Sequence, residues 1–352
     1  GSFFQLDDFL EYWSAGRLAW GGQNPYDRQL MEAFQRELGR TSPVMMYNPP
    51  FTLTIVMPLS LLPYPLARMA WLLVSMIAIA VAVAWLWELA GGRRSRLILI
   101  WFLAFSFAPT LGAFNKGQLS PFILLGLAGF LRFHEMQRPW AAGGFIALTA
   151  LKPHLLFPFW LALLLWSIAR REWRVILAAM GAIVLATGVV MLLNPAILSQ
   201  YLYAAMHDTP IYWRTATIGG VLRGWLGPER VWLKFALAPL GVLWALYYWR
   251  QHHVDWDWSA RLPALVFASA LTAIYGWVHD YAILTVPLIS AVSLMTFTVN
   301  RRFVKILGCV GLVLNLVSLV LRGLVTADAL WWLAPAWFVW YSLIRHSCAV
   351  RG

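Results

Sequence analysis

Three carboxylates fall within five residues near the start of the chain, in Asp7-Asp8-Phe9-Leu10-Glu11. The segment runs on through Tyr12-Trp13-Ser14-Ala15-Gly16-Arg17 to Asn24-Pro25-Tyr26-Asp27. A carboxylate set beside an apolar wall can have its proton affinity tuned and act as a general base. The same residues also have a structural reading, because Asp8 with Glu11 three positions on fits a capping box for a helix starting near Phe9. Cations follow in Asn115-Lys116-Gly117-Gln118, in Lys152-Pro153-His154, and at Arg214 and Arg223. Such groups suit the neutralisation of a phosphate, arginine by a two-pronged grip. Their structural alternative is snorkelling to lipid headgroups, which is less natural for Lys116 and Lys152 because they sit between short apolar stretches. His279-Asp280-Tyr281 sets an imidazole beside a carboxylate, to orient a substrate, to assist proton transfer, or to cap a turn. A metal site would want more ligands than His207, Asp208, His279 and Asp280 obviously supply, so no cofactor is expected, with a divalent metal as the open alternative.

The elements that must position these residues are apolar helices. The chain of 352 residues is 61% hydrophobic and 12% charged, with a mean hydropathy of +0.67. A soluble domain carries about 25% charged residues, and the apolar runs here approach the ~20 residues of a bilayer span. The alternation of an outer-membrane barrel is missing. An all-α polytopic membrane protein follows. Eleven spans are expected, at 65–90, 97–114, 119–133, 140–151, 155–169, 175–194, 232–249, 259–276, 281–298, 306–325 and 330–344. An outward region precedes them at 1–64, with an amphipathic piece around 28–40 and a re-entrant or interfacial segment at 49–63. A second outward loop, at 195–231, reads as an interfacial lid or acceptor-binding loop. Cys309 and Cys348 suit neither a zinc site nor a disulfide framework.

A net charge of +12 would suggest nucleic acid for a soluble protein; here the positive-inside rule explains it, and no nucleic-acid partner is expected. Fifteen of the 27 Lys and Arg residues lie in one alternate set of turns, which therefore faces the cytoplasm. The opposite set carries Asp7, Asp8, Lys116, Gln118, Lys152, His154, His279 and Asp280. Ionisable groups gathered at helix breaks on one membrane face mark a functional site. The charge pattern leaves the N-terminus outside, and a first transmembrane helix upstream of this sequence is expected.

These motifs, taken in order, resemble glycosyltransferase family 87. Asp8-Phe9-x-x-Tyr12-Trp13-x-Ala15-Gly16-Arg17 with Asn24-Pro25-Tyr26-Asp27, then Tyr47-Asn48-Pro49-Pro50-Phe51, are similar to the family's N-terminal signature. Asn115-Lys116-Gly117-Gln118, Ala150-Leu151-Lys152-Pro153 and His279-Asp280-Tyr281 follow in the family's order. Each motif alone is weak and the ordered set is fairly specific. The resemblance implies a GT-C membrane fold and transfer of a sugar from a polyprenyl-phosphate donor to a hydroxyl of a glycolipid or glycan. It further implies mannose, with arabinofuranose as the rival, and a site on the outer face of a bacterial cytoplasmic membrane. The family's catalytic Asp matches Asp8, with Asp7 beside it. His279 would orient the donor, and Lys116, Gln118, Lys152, His154, Arg214, Arg223, Asp280, Tyr281, Tyr47 and Asn48 would contact substrate. Two departures stand out: the family's first transmembrane helix is not in this sequence, and Ala282 follows the His-Asp-Tyr turn where a second Asp is frequent. A transporter or flippase of a lipid-linked anion is the reading without chemistry. It would place charges in mid-span and show repeat symmetry, neither of which the sequence offers.

Overall fold

A computed structural model describes residues 8–40, 42–207, 213–297 and 301–349. Asp7 and Asp208 lie outside the described residues. Among those described the chain is helical throughout, with no strand. The N-terminal region contributes α1 (Phe9–Trp20), α2 (Arg28–Arg36) and α3 (Leu53–Ser60). Asp27 caps α2, its carboxylate accepting from the Gln29 and Leu30 amides at 2.8 and 3.0 Å. Asp27 therefore serves the fold, and the amphipathic piece expected at 28–40 is this helix. α3 with the turn before it, Pro50–Ser60, is apolar but short. At ~1.5 Å per residue it reaches only about half-way through a bilayer core of ~30 Å.

The helical body follows: α4 (Tyr64–Leu89), α5 (Leu97–Ser106), α6 (Ala108–Lys116), α7 (Ser120–Glu135), α8 (Pro139–Ile146), α9 (Phe157–Arg170) and α10 (Trp173–Met191). Then come α11 (Ile197–His207), α12 (Ile218–Leu226), α13 (Ala238–His252), α14 (Trp258–Thr272), α15 (Thr285–Phe297), α16 (Arg301–Leu324) and α17 (Leu333–Ala349). Five helical stretches among the described residues are long and apolar enough to cross a membrane: Tyr64–Leu89, Trp173–Met191, Val231–His252, Val278–Phe297 and Arg302–Leu324. α5 and α6 together would make a sixth, bent by 63°. Each of the eleven apolar stretches marked in the sequence carries helix, but several are shorter than a span. Pro139–Leu151 and Phe157–Arg170 are such cases.

Proline and the backbone it leaves unpaired explain the sharpest break. Pro109 has no amide to continue α5, and Phe107 adopts an extended conformation. The freed groups are taken up by α16: the Asn315 side chain accepts from the Ala108 amide at 2.7 Å and donates to the Ser106 carbonyl at 2.9 Å. Re-pairing by a neighbouring helix is what makes broken backbone tolerable at membrane depth. The far end of α6 stops at Gly117, whose φ of +68° is the left-handed conformation glycine adopts most readily. The Gln118 amide then bonds back to the Ala113 carbonyl at 2.9 Å, and the Gln118 side chain is sent off the helix axis.

One continuous core joins the N-terminal region to the helical body, with Phe9, Tyr12, Leu18, Trp71, Phe122, Leu155 and Tyr281 all within it. Trp71 of α4 fastens α1 to the Gly117 turn. Its ring stacks on Phe9 with centroids 5.2 Å apart, and its indole N–H donates to the Gly117 carbonyl at 2.8 Å.

Candidate active site

Four chain segments converge on one buried polar cluster. Asp8 ends the approach to α1, and its backbone amide donates to the Lys116 carbonyl at 2.8 Å, which docks α1 on the end of α6. The Asp8 side chain makes no capping bond to its own helix. The Gln118 amide nitrogen instead donates to Asp8 Oδ2 at 2.7 Å. The capping-box alternative for Asp8 and Glu11 is thus not what the fold uses. Glu11 is itself buried one turn along. Burial first, and then the neighbouring Asp8 charge, push its carboxyl well above the usual carboxylate range, against the opposing pull of Lys152 and Tyr12.

Lys152 enters from a turn that its sequence dictates. Pro153 disfavours helix at the preceding residue, and Lys152 is extended between two short 3₁₀ segments, Ala147–Leu151 and Pro153–Leu155. Its ammonium donates to Gln118 Oε1 at 2.8 Å and to Asp280 Oδ1 at 2.6 Å. Both ends of the ion pair are sealed, at 7% and 1% side-chain exposure. Asp280 lies in the 3₁₀ turn Val278–Leu284 and also accepts from Ser120 Oγ at 3.2 Å and from the Trp277 amide at 3.0 Å. Asp280 therefore both caps its own turn and anchors Lys152. His279 is buried beside it with Nε2 3.8 Å from Asp280 Oδ2, too far for a hydrogen bond. That Nε2 has no hydrogen-bond partner among the described residues.

Other sequence candidates divide between the fold and the rim of this cluster. Asn48 donates to the Leu151 carbonyl at 3.0 Å, bracing the turn that delivers Lys152. Its own carbonyl accepts from the Tyr26 hydroxyl at 2.9 Å. The Tyr281 hydroxyl donates to the Ala216 carbonyl, and the Ala216 amide donates to the Gly276 carbonyl at 2.8 Å. These bonds tie the segment before α12 to the Asp280 turn. Tyr47 meets Trp213 edge-on at 5.5 Å. Trp213 in turn packs near Tyr275 and Trp277, and Trp277 stacks on His279 at 5.9 Å. His154 stacks on Tyr275 at 3.6 Å, completing an aromatic wall over the site. Burial, reinforced by Lys152, lowers the His154 imidazole to about 3.

Arg214 is exposed. Arg223 is buried in α12 and donates to the Pro228 carbonyl at 2.8 Å, within its own turn. His207 is exposed and turned to the Tyr203 carbonyl. The cluster gains instead a cation that the turn-by-turn reading of charge passed over. Arg322 of α16 donates to the Ala108 carbonyl at 3.3 Å, and its charge acts on His279 together with those of Lys152 and Lys116. Gly112 of α6 makes room for this approach: a Cβ there would stand 2.8 Å from Arg322 Nη1 and 3.3 Å from His279 Cβ. An arginine in the last turn of α16, at the end of the expected span 306–325, was the available signal, because an ionisable group at a span's end marks a candidate site. No group of three or more His, Cys, Asp or Glu side chains suited to a metal ion occurs among the described residues.

A buried carboxylate and cation cluster, built on broken apolar helices with aromatic rings beside it, makes this the candidate active site. Residues 47–274, well over half of the chain, match the model of glycosyltransferase family 87, and the chain belongs to that family. It is a membrane glycosyltransferase. No curated protein and no solved structure matches the chain. The matched stretch holds Gln118 and Lys152, whereas Asp8 precedes it and His279 and Asp280 follow it. The hydrogen bonds above connect the three parts.

Proposed function

We propose that this protein transfers mannose from a polyprenyl-phosphate donor to a hydroxyl of a glycolipid or glycan acceptor, by a single inverting displacement with Asp8 as general base. The observation that carries the reading is the half-buried Asp8 carboxylate, oriented by Gln118 at the edge of the cation cluster. Asp8 takes the proton of the acceptor O–H as that oxygen bonds to the anomeric carbon. The anomeric carbon–oxygen bond to the lipid phosphate breaks through an oxocarbenium-like state, and its electron pair leaves on the phosphate. The products are the new glycoside, polyprenyl phosphate and protonated Asp8. Lys116 and Arg322 offer the positive charge that lets the phosphate leave without a proton. His279 offers its unpartnered Nε2 to the donor, and the rings of Tyr47, Trp213, Tyr275 and Trp277 offer faces for sugars. The scheme asks for no cofactor.

The same proposal includes a GT-C arrangement of eleven spans in a bacterial cytoplasmic membrane, with the site on the outer face and the 63° break of α5 and α6 as a groove for the lipid tail. The test is transfer of radiolabelled mannose from polyprenyl-phosphate mannose to a membrane glycolipid extract by purified wild type, Asp8→Asn and Asp7→Asn. Transfer lost by at least ~100-fold in folded Asp8→Asn alone, within the range that general acid–base groups contribute, supports the mechanism. Full activity in Asp8→Asn removes it. A wild type that transfers arabinofuranose and not mannose corrects the sugar.

A further inference from the structure

The amide of Gln118 has its polarity fixed from outside. Its oxygen accepts from the Lys152 ammonium at 2.8 Å and from the Tyr12 hydroxyl at 3.3 Å. An ammonium donates and never accepts, so the carbonyl end of Gln118 must face Lys152. Lys152 cannot turn away, because its ion pair with Asp280 at 2.6 Å holds it in place. The remaining, NH₂ end of the same amide therefore faces Asp8, and it only donates. Asp8 Oδ2, 2.7 Å away, must be an acceptor, and a fixed donor there favours the carboxylate, which accepts more strongly than the neutral acid. Gln118 and Lys152 are buried with 6% exposure each, and Asp280 and Tyr12 are sealed at 0% and 1%. Flipping the amide would set two donors against each other in a dry site, at the cost of burying unsatisfied polar groups.

We infer that Asp280, Lys152 and Gln118 form a positioning relay that keeps Asp8 in its unprotonated, proton-accepting form. The inference rests on the reading of Asp8 as the base. It also reassigns Lys152 and Gln118 from contacting substrate to setting the state of the group that does. The relay is needed because of what else faces Asp8. Glu11 and Tyr12 lie on its own helix, and two ionised carboxyls at positions 8 and 11 would repel each other, so that the charge settles on only one of them. From the other elements come Lys116 on α6, whose carbonyl holds the Asp8 amide, Lys152 on its turn, and Asp280 on the Val278–Leu284 turn. Burial raises the Glu11 carboxyl while the fixed amide donor favours the Asp8 carboxylate, and opposite environments are how neighbouring acids acquire separate roles.

Infrared titration of the Asp8 carboxyl, isolated by subtracting the Asp8→Asn spectrum, tests this without relying on catalysis. In folded Gln118→Leu the protonated-carboxyl band of Asp8 is expected to persist at least one pH unit higher than in wild type, a tenfold change in proton affinity. The acid limb of kcat/KM should move with it. Lys152→Met frees the amide to flip and should shift the band the same way, while Lys152→Arg, which still only donates, should restore it. Gln118→Leu that folds with an unchanged midpoint overturns the relay, whatever Lys152→Met does. A shifted midpoint in a protein whose wild type transfers no sugar upholds the relay and removes Asp8 as catalytic base.

Discussion

Lys152 and Asp280 are 128 residues apart in the chain and 2.6 Å apart in the fold, joined with less than a tenth of either side chain exposed. An ion pair so enclosed adds little net stability over an apolar pair of similar volume, because both charges had to leave water. Removing one partner is what costs, since the other is left buried and uncompensated.

Lys152→Met is accordingly expected to destabilise the protein by about 3–5 kcal/mol. Adding Asp280→Asn to it should return a large part of the loss, because the orphaned charge is gone. Thermal unfolding of the detergent-solubilised variants reads both values. A double variant no more stable than Lys152→Met alone would show that the pair acts through packing.

Gly112→Ala sets a methyl against the tip of Arg322 at 2.8 Å and against His279 Cβ at 3.3 Å. The guanidinium is the end of a flexible side chain and will yield, so unfolding temperature should change little. Under the proposed mechanism the donor phosphate then loses a cation in its proper place, and KM for the lipid donor should rise about tenfold, on the order of 1.4 kcal/mol, with a smaller effect on kcat. Steady-state kinetics against donor concentration check the split. An unchanged KM would remove Arg322 from donor binding.

His154 gives the fold a pH dependence of definite sign. Its imidazole is lowered from 6.5 to about 3 by burial, so between those values the unfolded chain binds a proton that the native protein refuses. Stability therefore falls as pH drops below about 6.5, by at most about 1.4 kcal/mol per unit, and is unaffected above it. His154→Phe, which keeps the stack on Tyr275, should flatten the slope of melting temperature between pH 6.5 and 5. A slope equal to that of wild type would assign the acid sensitivity elsewhere.

The sequence exposed much of this molecule because its strongest signals are local. The apolar runs, the prolines that break them and the gathering of ionisable residues at one set of turns all show within a few positions. Asp8, Lys152 and Asp280 could each be picked out in that way. Which of them touch could not, because the contacts span more than a hundred residues. Lys152 thus reads from the sequence as a cation for phosphate, when its ammonium is already held by a carboxylate. The pattern at Asp8 and Glu11 misleads for the same reason: a local capping box competes with a distant Gln118, and the distant amide wins. Arg322 lies inside the expected span 306–325 and so outside the turns in which charges were compared. The number of true spans is blurred because segments such as Phe157–Arg170 are apolar enough for the bilayer but too short to decide on length.

The distance along the chain between Lys152 and Asp280 also bears on how the protein is made. Lys152 leaves the ribosome well before its counter-charge has been translated, and an unpaired ammonium is costly in the buried place it finally occupies. Its ammonium gains its carboxylate only after α9 to α14 have been made and the Val278–Leu284 turn arrives. The candidate site is thus completed late, by the closing of an electrostatic latch between an early and a late segment. A chain interrupted before Asp280 would hold most of its helices and leave Lys152 without its counter-charge.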